Sequence, residues 1–328
     1  MLRFGIVGTS WISDAFIEAG LRIEDFRVNA VYSRKIEKAK EFGLKYNIEN
    51  YYNDLEKMAT SKNIDAVYIA SPNSLHFEQA KIFLKNKIAC FVEKPITSTS
   101  KELKILINLA KENDILLMEG MMTTQTPNFK VLKDNLLKVG NIRKIIGIFC
   151  QYSSKYDRFK DGIYTNAFDP KWSNGSLMDI GIYLIEPIVA LFGKPLDINA
   201  SCTILPDSID GEGNIILKYE NFNVNLIYSK IANSYIPSEI QGENGSIIIE
   251  KWSQMEELRF VGRSGEEEII SLEQEDNKIY YELKNFIDTY KSGKIESNIN
   301  NFELSLITQE ILEEVRKIMG FSFPADEN

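Results

Sequence analysis

The first third of the chain alternates short, continuous apolar runs with stretches whose apolar positions recur every three to four residues. The continuous runs predict buried strands over residues 4–7, 28–32, 66–70, 88–92 and 116–118. The helical period predicts helices over residues 11–19, 35–46, 55–60, 75–85 and 101–112. Strands that alternate with helices in this way predict an α/β fold with a doubly wound parallel sheet.

The pattern changes after residue 123. A helix over 128–138 leads into a strand-like run over 145–152. From residue 201 onward, short strand-like runs are separated by tight turns. Runs over 215–219 and 224–228 flank a turn at Glu220-Asn221, and Asn244-Gly245 precedes a run over 246–250 as a hairpin signal. Helical patterns over 280–291 and 302–319 close the chain. The expected organisation is a parallel domain over residues 1–123 and an α+β domain over residues 124–328 with a largely antiparallel open sheet. The runs over 215–219 and 224–228 put apolar residues on both faces of that sheet, which predicts an interface.

Composition narrows the function. With 328 residues, 44% of them hydrophobic, the chain is long enough for two cored domains. The net charge of −9 offers no basic footprint for nucleic acid or an anionic membrane. No apolar run approaches the roughly 20 residues that span a bilayer, so no membrane association is expected. The N-terminus enters the first strand directly, unlike a signal peptide. The three cysteines, Cys90, Cys150 and Cys202, are odd in number and lie in apolar surroundings, as expected for unlinked thiols in a reducing cytoplasm. The one histidine, His76, excludes a site built on two imidazoles, and no metal site is expected. Acid–base chemistry then falls to Tyr, Lys, Asp or Glu.

Four segments carry candidate chemistry. Glu93-Lys94-Pro95 ends the run over 88–92. Open α/β sheets bind ligands at the carboxyl ends of their strands, so Lys94 is placed to meet a cofactor and a substrate together. Gly8-Thr9-Ser10-Trp11-Ile12-Ser13 follows the first strand and opens a helix, as the dinucleotide fingerprint G-x-G-x-x-G/A does, with small Ser10 and Ser13 at its second and third positions. The second strand ends Tyr32-Ser33-Arg34, with Lys38 one helical turn later. NAD-binding sheets place an acid there for the ribose 2′-OH. A hydroxyl and two cations suit a 2′-phosphate, so NADP is expected ahead of NAD. In the segment from Asn174 to Tyr183, Ser176 is expected to cap a helix through Leu184 that puts Asp179 and Tyr183 at i and i+4 on one face. Gly175 and Gly181 would let a ligand or another backbone approach closely.

Together these segments resemble the glucose-fructose oxidoreductase / inositol dehydrogenase / MocA-type family over nearly the whole chain. The resemblance rests on the N-terminal glycine turn, on Ser71-Pro72-Asn73 with His76, on Glu93-Lys94-Pro95, on residues 175–183 and on the C-terminal antiparallel sheet. Many family members carry histidine where this chain has Tyr183. The tyrosine version is similar to the branch that contains dimeric dihydrodiol dehydrogenase. The resemblance implies a Rossmann domain and an NAD(P)-dependent dehydrogenase or reductase acting on the CH–OH group of a small sugar, polyol or cyclic diol. It also implies a homodimer or homotetramer joined through the C-terminal sheet. By the same likeness Tyr183 is the acid–base residue, Lys94 positions the substrate oxygen and lowers the tyrosine pKa, and Asp179 binds a substrate hydroxyl or orients the site.

The same resemblance distributes the cofactor contacts. Gly8, Thr9, Ser10, Trp11 and Ile12 would wrap the pyrophosphate, and Ser33, Arg34 and Lys38 would meet the adenosine phosphate. Ser71, Pro72, Asn73, His76, Glu93 and Lys94 would line the ribose and nicotinamide. Relatives in that branch often read Glu-Ala-x-Trp-Thr-Arg after the fifth strand. This chain reads Glu119-Gly120-Met121-Met122-Thr123-Thr124, so Met122 and Thr124 stand at the Trp and Arg positions. The alternative reading is a catalytically inactive, dinucleotide-binding redox sensor, against which Lys94, Asp179 and Tyr183 together argue.

Overall fold

The computed structural model describes residues 1–327. In chain order the first elements are β1 (Leu2–Val7), α1 (Trp11–Gly20), β2 (Phe26–Tyr32), α2 (Ile36–Leu44), β3 (Asn50–Tyr52), α3 (Leu55–Thr60), β4 (Ala66–Ile69), α4 (His76–Lys85), β5 (Ala89–Glu93), α5 (Ser100–Asn113) and β6 (Leu117–Gly120). There follow α6 (Pro127–Asn135), β7 (Ile142–Cys150), α7 (Ser154–Lys160), a π-helical turn (Leu177–Gly181) and α8 (Ile182–Phe192). The strands β8 (Asp197–Leu205), β9 (Ile209–Lys218), β10 (Asn223–Ser229), β11 (Ser238–Gly242), β12 (Gly245–Glu250), β13 (Glu257–Gly262) and β14 (Glu267–Ile269) come next, then α9 (Ile279–Lys291) and α10 (Phe302–Met319).

The chain divides into two compact units. The first joins Met1–Met121 to Glu275–Ser305, and the second joins Met122–Gln274 to the segment that begins at Leu306. A single cut at residue 123 therefore misses the return of Glu275–Ser305 to the first unit.

Six parallel strands in the order β3-β2-β1-β4-β5-β6 form the first unit's sheet. Each predicted apolar run is one of these strands. Only β3 escapes the sequence pattern, because it is a three-residue edge strand that begins with asparagine. The strand order reverses between β1 and β4, which opens a crevice at their carboxyl ends. The return segment completes the core. Phe286 of α9 stacks on Phe91 of β5, with ring centroids 5.1 Å apart. At the other end of α9, Lys291 pairs with Asp25 just before β2, and the Leu117 N–H donates to the Ile295 carbonyl. So α9 runs antiparallel to the strands, and its first turn lies at their carboxyl edge.

The second unit holds an eight-stranded sheet in the order β14-β13-β12-β11-β7-β10-β9-β8. All its pairs are antiparallel except β10 with β7, which is parallel. Alternation gives the sheet a buried face that includes Ile145, Ile215, Leu226, Ile240, Ile247 and Leu258. The register aligns a mixed row on the other face: Asn199, Ile216, Asn225, Ile146, Glu239, Ile248 and Arg259.

One sequence expectation is corrected here. Pro170–Phe192 is long and apolar enough to cross a bilayer, although no such run was expected. Of its most apolar window, 72% is buried inside the fold, and it carries Asp179 and Glu186. Its apolar character is that of a core segment.

Candidate active site

The glycine turn of the first unit is shaped as a phosphate cradle. Gly8 sits at φ +113, and a Cβ there would lie 2.5 Å from the Ala70 carbonyl oxygen. Only glycine lets the loop after β1 lie against the loop after β4. Ser13 is fully buried and donates from Oγ to the Gly8 carbonyl at 3.1 Å, so a small residue is needed there as in the glycine fingerprint. Ser10 stands at the N-cap of α1 but makes no side-chain cap bond, which leaves the helix N-terminus for an anion. Thr9 and Ile12 are half-buried beside it, and Trp11 is 74% exposed. These features fit a dinucleotide pyrophosphate. At the end of β2 the Ser33 N–H donates to the Tyr52 carbonyl. Arg34 and Lys38 are both exposed, and among the described residues neither has an ion-pair partner. Two available cations and no acid in Tyr32-Ser33-Arg34 fit a 2′-phosphate.

The loop after β4 brings Ser71, Pro72, Asn73 and His76 together. Ser71 Oγ donates to Gln79 Oε1 at 2.7 Å. His76 differs from its expected role as a cofactor contact. Its ring is fully buried, with Nδ1 3.0 Å from the Pro95 carbonyl and Nε2 2.9 Å from the Ser71 carbonyl. Burial holds the imidazole below its ordinary pKa, so it stays neutral. It ties the loops after β4 and β5 to each other and reaches any cofactor only through them.

Glu93 and Lys94 leave β5 at its carboxyl end. The Tyr68 hydroxyl donates to Glu93, and the Tyr68 ring stacks on Phe16 of α1 with centroids 3.7 Å apart. The Ile96 N–H donates to Glu119 Oε1 at 2.9 Å. Two further carboxyls join this edge. Glu119 of β6 is pushed above the ordinary carboxylate range by burial. Glu282, in the first turn of α9, is pushed well above it by burial and then by Glu93, with Lys94 opposing. Among the described residues nothing hydrogen-bonds Glu282 Oε2, which is buried.

In the second unit, Asp179 and Tyr183 lie on one continuous helical segment, but its start differs from expectation. Ser176 is not its cap. The Ser176 hydroxyl donates to the Gly211 carbonyl, and the buried carboxylate of Asp210 accepts the Ser176 N–H at 3.1 Å and the Leu177 N–H at 2.7 Å. Gly175, at φ +113, makes room for this arrangement, since a Cβ there would lie 2.1 Å from Asp210 Oδ1. Its missing side chain accommodates the cap rather than a ligand or another backbone. Burial pushes Asp210 up to about 6, against the pull of its N–H donors and Lys230. The first turn is π-helical, and α8 then continues past Leu184 to Phe192 despite Pro187. Proline has no N–H for the carbonyl four residues back, which belongs to Tyr183. The buried indole of Trp252 donates to that carbonyl at 3.0 Å. The Tyr183 ring meets Phe149 edge-on at 5.9 Å.

Lys230, just beyond β10, is the main residue that the sequence reading missed. Its Nζ lies 2.7 Å from Asp179 Oδ2 and 5.0 Å from the centre of the Phe168 ring. The signal was the same as for Lys94: a lysine directly after an apolar run. Of the two positions where relatives carry Trp and Arg, Thr124 is buried, with Oγ1 3.4 Å from Glu186 Oε1, and Met122 is half-buried. Among the described residues no three His, Cys, Asp or Glu side chains cluster as metal ligands.

Comparison with known proteins covers both units. Residues 2–121 match the family described as "Oxidoreductase family, NAD-binding Rossmann fold", and residues 136–248 match the GFO/IDH/MocA C-terminal domain. The scyllo-inositol 2-dehydrogenase (NADP(+)) IolU of Bacillus subtilis (strain 168) is 48% identical over 327 residues, 100% of each chain. The uncharacterized oxidoreductase YgjR of Escherichia coli (strain K12) is 41% identical over 99% of each chain. Trans-1,2-dihydrobenzene-1,2-diol dehydrogenase of Mus musculus is 27% identical over 99% of each. Among solved structures, KijD10, a 3-ketoreductase from Actinomadura kijaniata in complex with NADP and TDP-benzene, superposes with a TM-score of 0.86 over 98% of this chain and 99% of that one. At 21% identity that match supports the fold alone.

Proposed function

The chain belongs to the GFO/IDH/MocA oxidoreductase family, a nicotinamide-dependent family, and from that premise we propose an NADP-preferring dehydrogenase of small polyols, with scyllo-inositol as the first substrate to test. The observation that carries this reading is the 48% identity, end to end, with an NADP-linked scyllo-inositol 2-dehydrogenase. Arg34 and Lys38 support the choice of NADP over NAD.

The turn Gly8 to Ile12 and the N-terminus of α1 would hold the pyrophosphate, and Ser33, Arg34 and Lys38 the adenosine phosphate. Ser71, Pro72, Asn73 and Glu93 would border the ribose and nicotinamide. The nicotinamide, when bound, supplies the hydride acceptor or donor. Tyr183 takes the hydroxyl proton in oxidation and returns it in reduction. Lys94 offers a fixed positive charge to the substrate oxygen, and Asp179 accepts a hydrogen bond from a second hydroxyl.

Two further parts of the reading stand on separate features. We place the protein in the cytoplasm, in keeping with its three unlinked cysteines. A homodimer or homotetramer through the mixed outer face of the eight-stranded sheet is supported by Ile146, Ile216 and Ile248 on that face.

The test is oxidation of scyllo-inositol by wild type, Tyr183→Phe and Lys94→Ala with NADP. Each substitution should lower turnover by about 100-fold or more, while Tyr183→Phe keeps its affinity for NADP. A folded Tyr183→Phe protein with wild-type turnover would overturn the assignment. A wild-type protein that binds NADP but oxidises no polyol would favour the redox sensor.

A further inference from the structure

Lys230 is built into the second unit more firmly than a surface lysine. Its side chain is 5% exposed. Its backbone N–H donates to the Gly211 carbonyl at 3.0 Å, and its carbonyl accepts the Ser153 N–H at 2.9 Å. The ammonium sits over Phe168, 3.5 Å from the Ala167 carbonyl and 2.7 Å from Asp179 Oδ2. Asp210, the residue before Gly211, caps the helical segment that carries Asp179. Asp179 itself is 38% exposed. A buried cation thus meets a carboxylate that still reaches the surface of its unit, and one acidic side chain fixes the helix while the other is fixed by the lysine.

We propose that Lys230 is a positioning residue that holds Asp179 as the anionic acceptor for a second substrate hydroxyl, so that preference for polyols over simple alcohols runs through the Lys230–Asp179 pair. The physical reason is twofold. Pairing removes the rotamer freedom of Asp179, so less ordering is lost when a hydroxyl binds. The pairing also aims the carboxylate as a charged acceptor, and charge-assisted hydrogen bonds are the stronger kind. At 5% exposure Lys230 acts on substrate through Asp179 rather than by contact. The inference rests on the proposed polyol dehydrogenase activity.

The experiment uses the NADP-loaded enzyme and scyllo-inositol, with Lys230→Met, Lys230→Arg, Asp179→Asn and the double variant Lys230→Met/Asp179→Asn. Two readouts are taken: KM and kcat in steady state, and the dissociation constant for scyllo-inositol by calorimetry in the presence of NADPH, where no turnover occurs. Lys230→Met should raise both KM and the dissociation constant by about 10- to 100-fold, the scale for one charge-assisted hydrogen bond, with a smaller change in kcat. Lys230→Arg should recover most of the loss. The double variant should be no worse than Asp179→Asn, because the lysine acts through that carboxylate. Losses that multiply in the double variant, or a Lys230→Met protein that lowers kcat at unchanged affinity, would overturn the proposal. If Lys230→Met fails to fold, Lys230→Gln decides: a folded Lys230→Gln protein with an unchanged dissociation constant for scyllo-inositol would overturn the role of Lys230. Failure of the wild-type protein to bind scyllo-inositol would overturn the substrate reading itself. Retained binding in Lys230→Met would overturn the role of Lys230 alone.

Discussion

Gly175→Ala is the most informative single perturbation, because one added methyl strikes both the backbone and the cap of the site helix. Gly175 sits at φ +113, where an L-residue costs at least about 1–2 kcal/mol. The new Cβ would lie 2.1 Å from Asp210 Oδ1, so the carboxylate must move. It then releases the Ser176 and Leu177 N–H groups, each an orphaned donor worth about 1–3 kcal/mol. The sum is about 3–8 kcal/mol, against the roughly 5–15 kcal/mol that holds a typical protein folded. At about 2–4 °C per kcal/mol, the melting temperature should fall by at least about 6 °C. Gly162→Ala is the matched control: φ is +74 and nothing lies within 4 Å of the added Cβ, so only the backbone cost of about 1–2 kcal/mol applies. Calorimetry of both variants separates the contributions. Turnover should fall in Gly175→Ala, whose helix carries Asp179 and Tyr183, and hold in Gly162→Ala. Equal melting shifts and unchanged turnover in both would refute the view that Asp210 is the cap.

Three other outcomes are expected. Arg34→Ala should weaken NADP by about 10- to 100-fold and leave NAD nearly unchanged in parallel titrations; equal losses would mean that Arg34 stacks on the adenine shared by both. Glu282 is held well above its ordinary value of 4.5 by burial and by Glu93, so the folded protein favours its protonated form and loses stability as pH rises above that value. Glu282→Gln should therefore unfold at a higher denaturant concentration than wild type at pH 8, with the gap closing by pH 4; a gap that persists at pH 4 would mean the effect is not titration. Ile146→Glu, on the mixed outer face of the eight-stranded sheet, should shift the assembly toward monomers in light scattering at micromolar concentration, and a wild-type monomer would remove the case for that interface.

The parts of this protein legible in its sequence are those set by local chemistry. Continuous apolar runs marked five of the six parallel strands, and a lysine after one of them marked Lys94. Long-range contacts were not legible. Ser176 looks like a helix cap because capping is usually local, but here the cap is Asp210, 34 residues further on. Lys230 follows an apolar run as Lys94 does, yet sequence does not reveal that β10 lies inside its sheet, between β7 and β9. Charged residues after ordinary antiparallel strands are common and carry no message. The π-helical turn was hidden for a similar reason, because Asp179 and Tyr183 suit an α-helix equally well. A proline at position 187 ordinarily ends or kinks a helix, and it takes a distant tryptophan to satisfy the carbonyl it leaves without a donor.

The return of Glu275–Ser305 to the first unit imposes an order on biosynthesis. Phe286 must stack on Phe91, but 195 residues separate them in the chain. At roughly 5–20 residues per second, the ribosome needs about 10–40 s to deliver the second ring after the first. During that interval the six-stranded sheet lacks α9, and Phe4 and Phe91 lack their contact with Phe286. The first unit to be started thus waits for its last segment until most of the second unit has been translated. A nascent chain stalled near residue 270 should expose this surface to chaperones, whereas one extended past residue 305 should not.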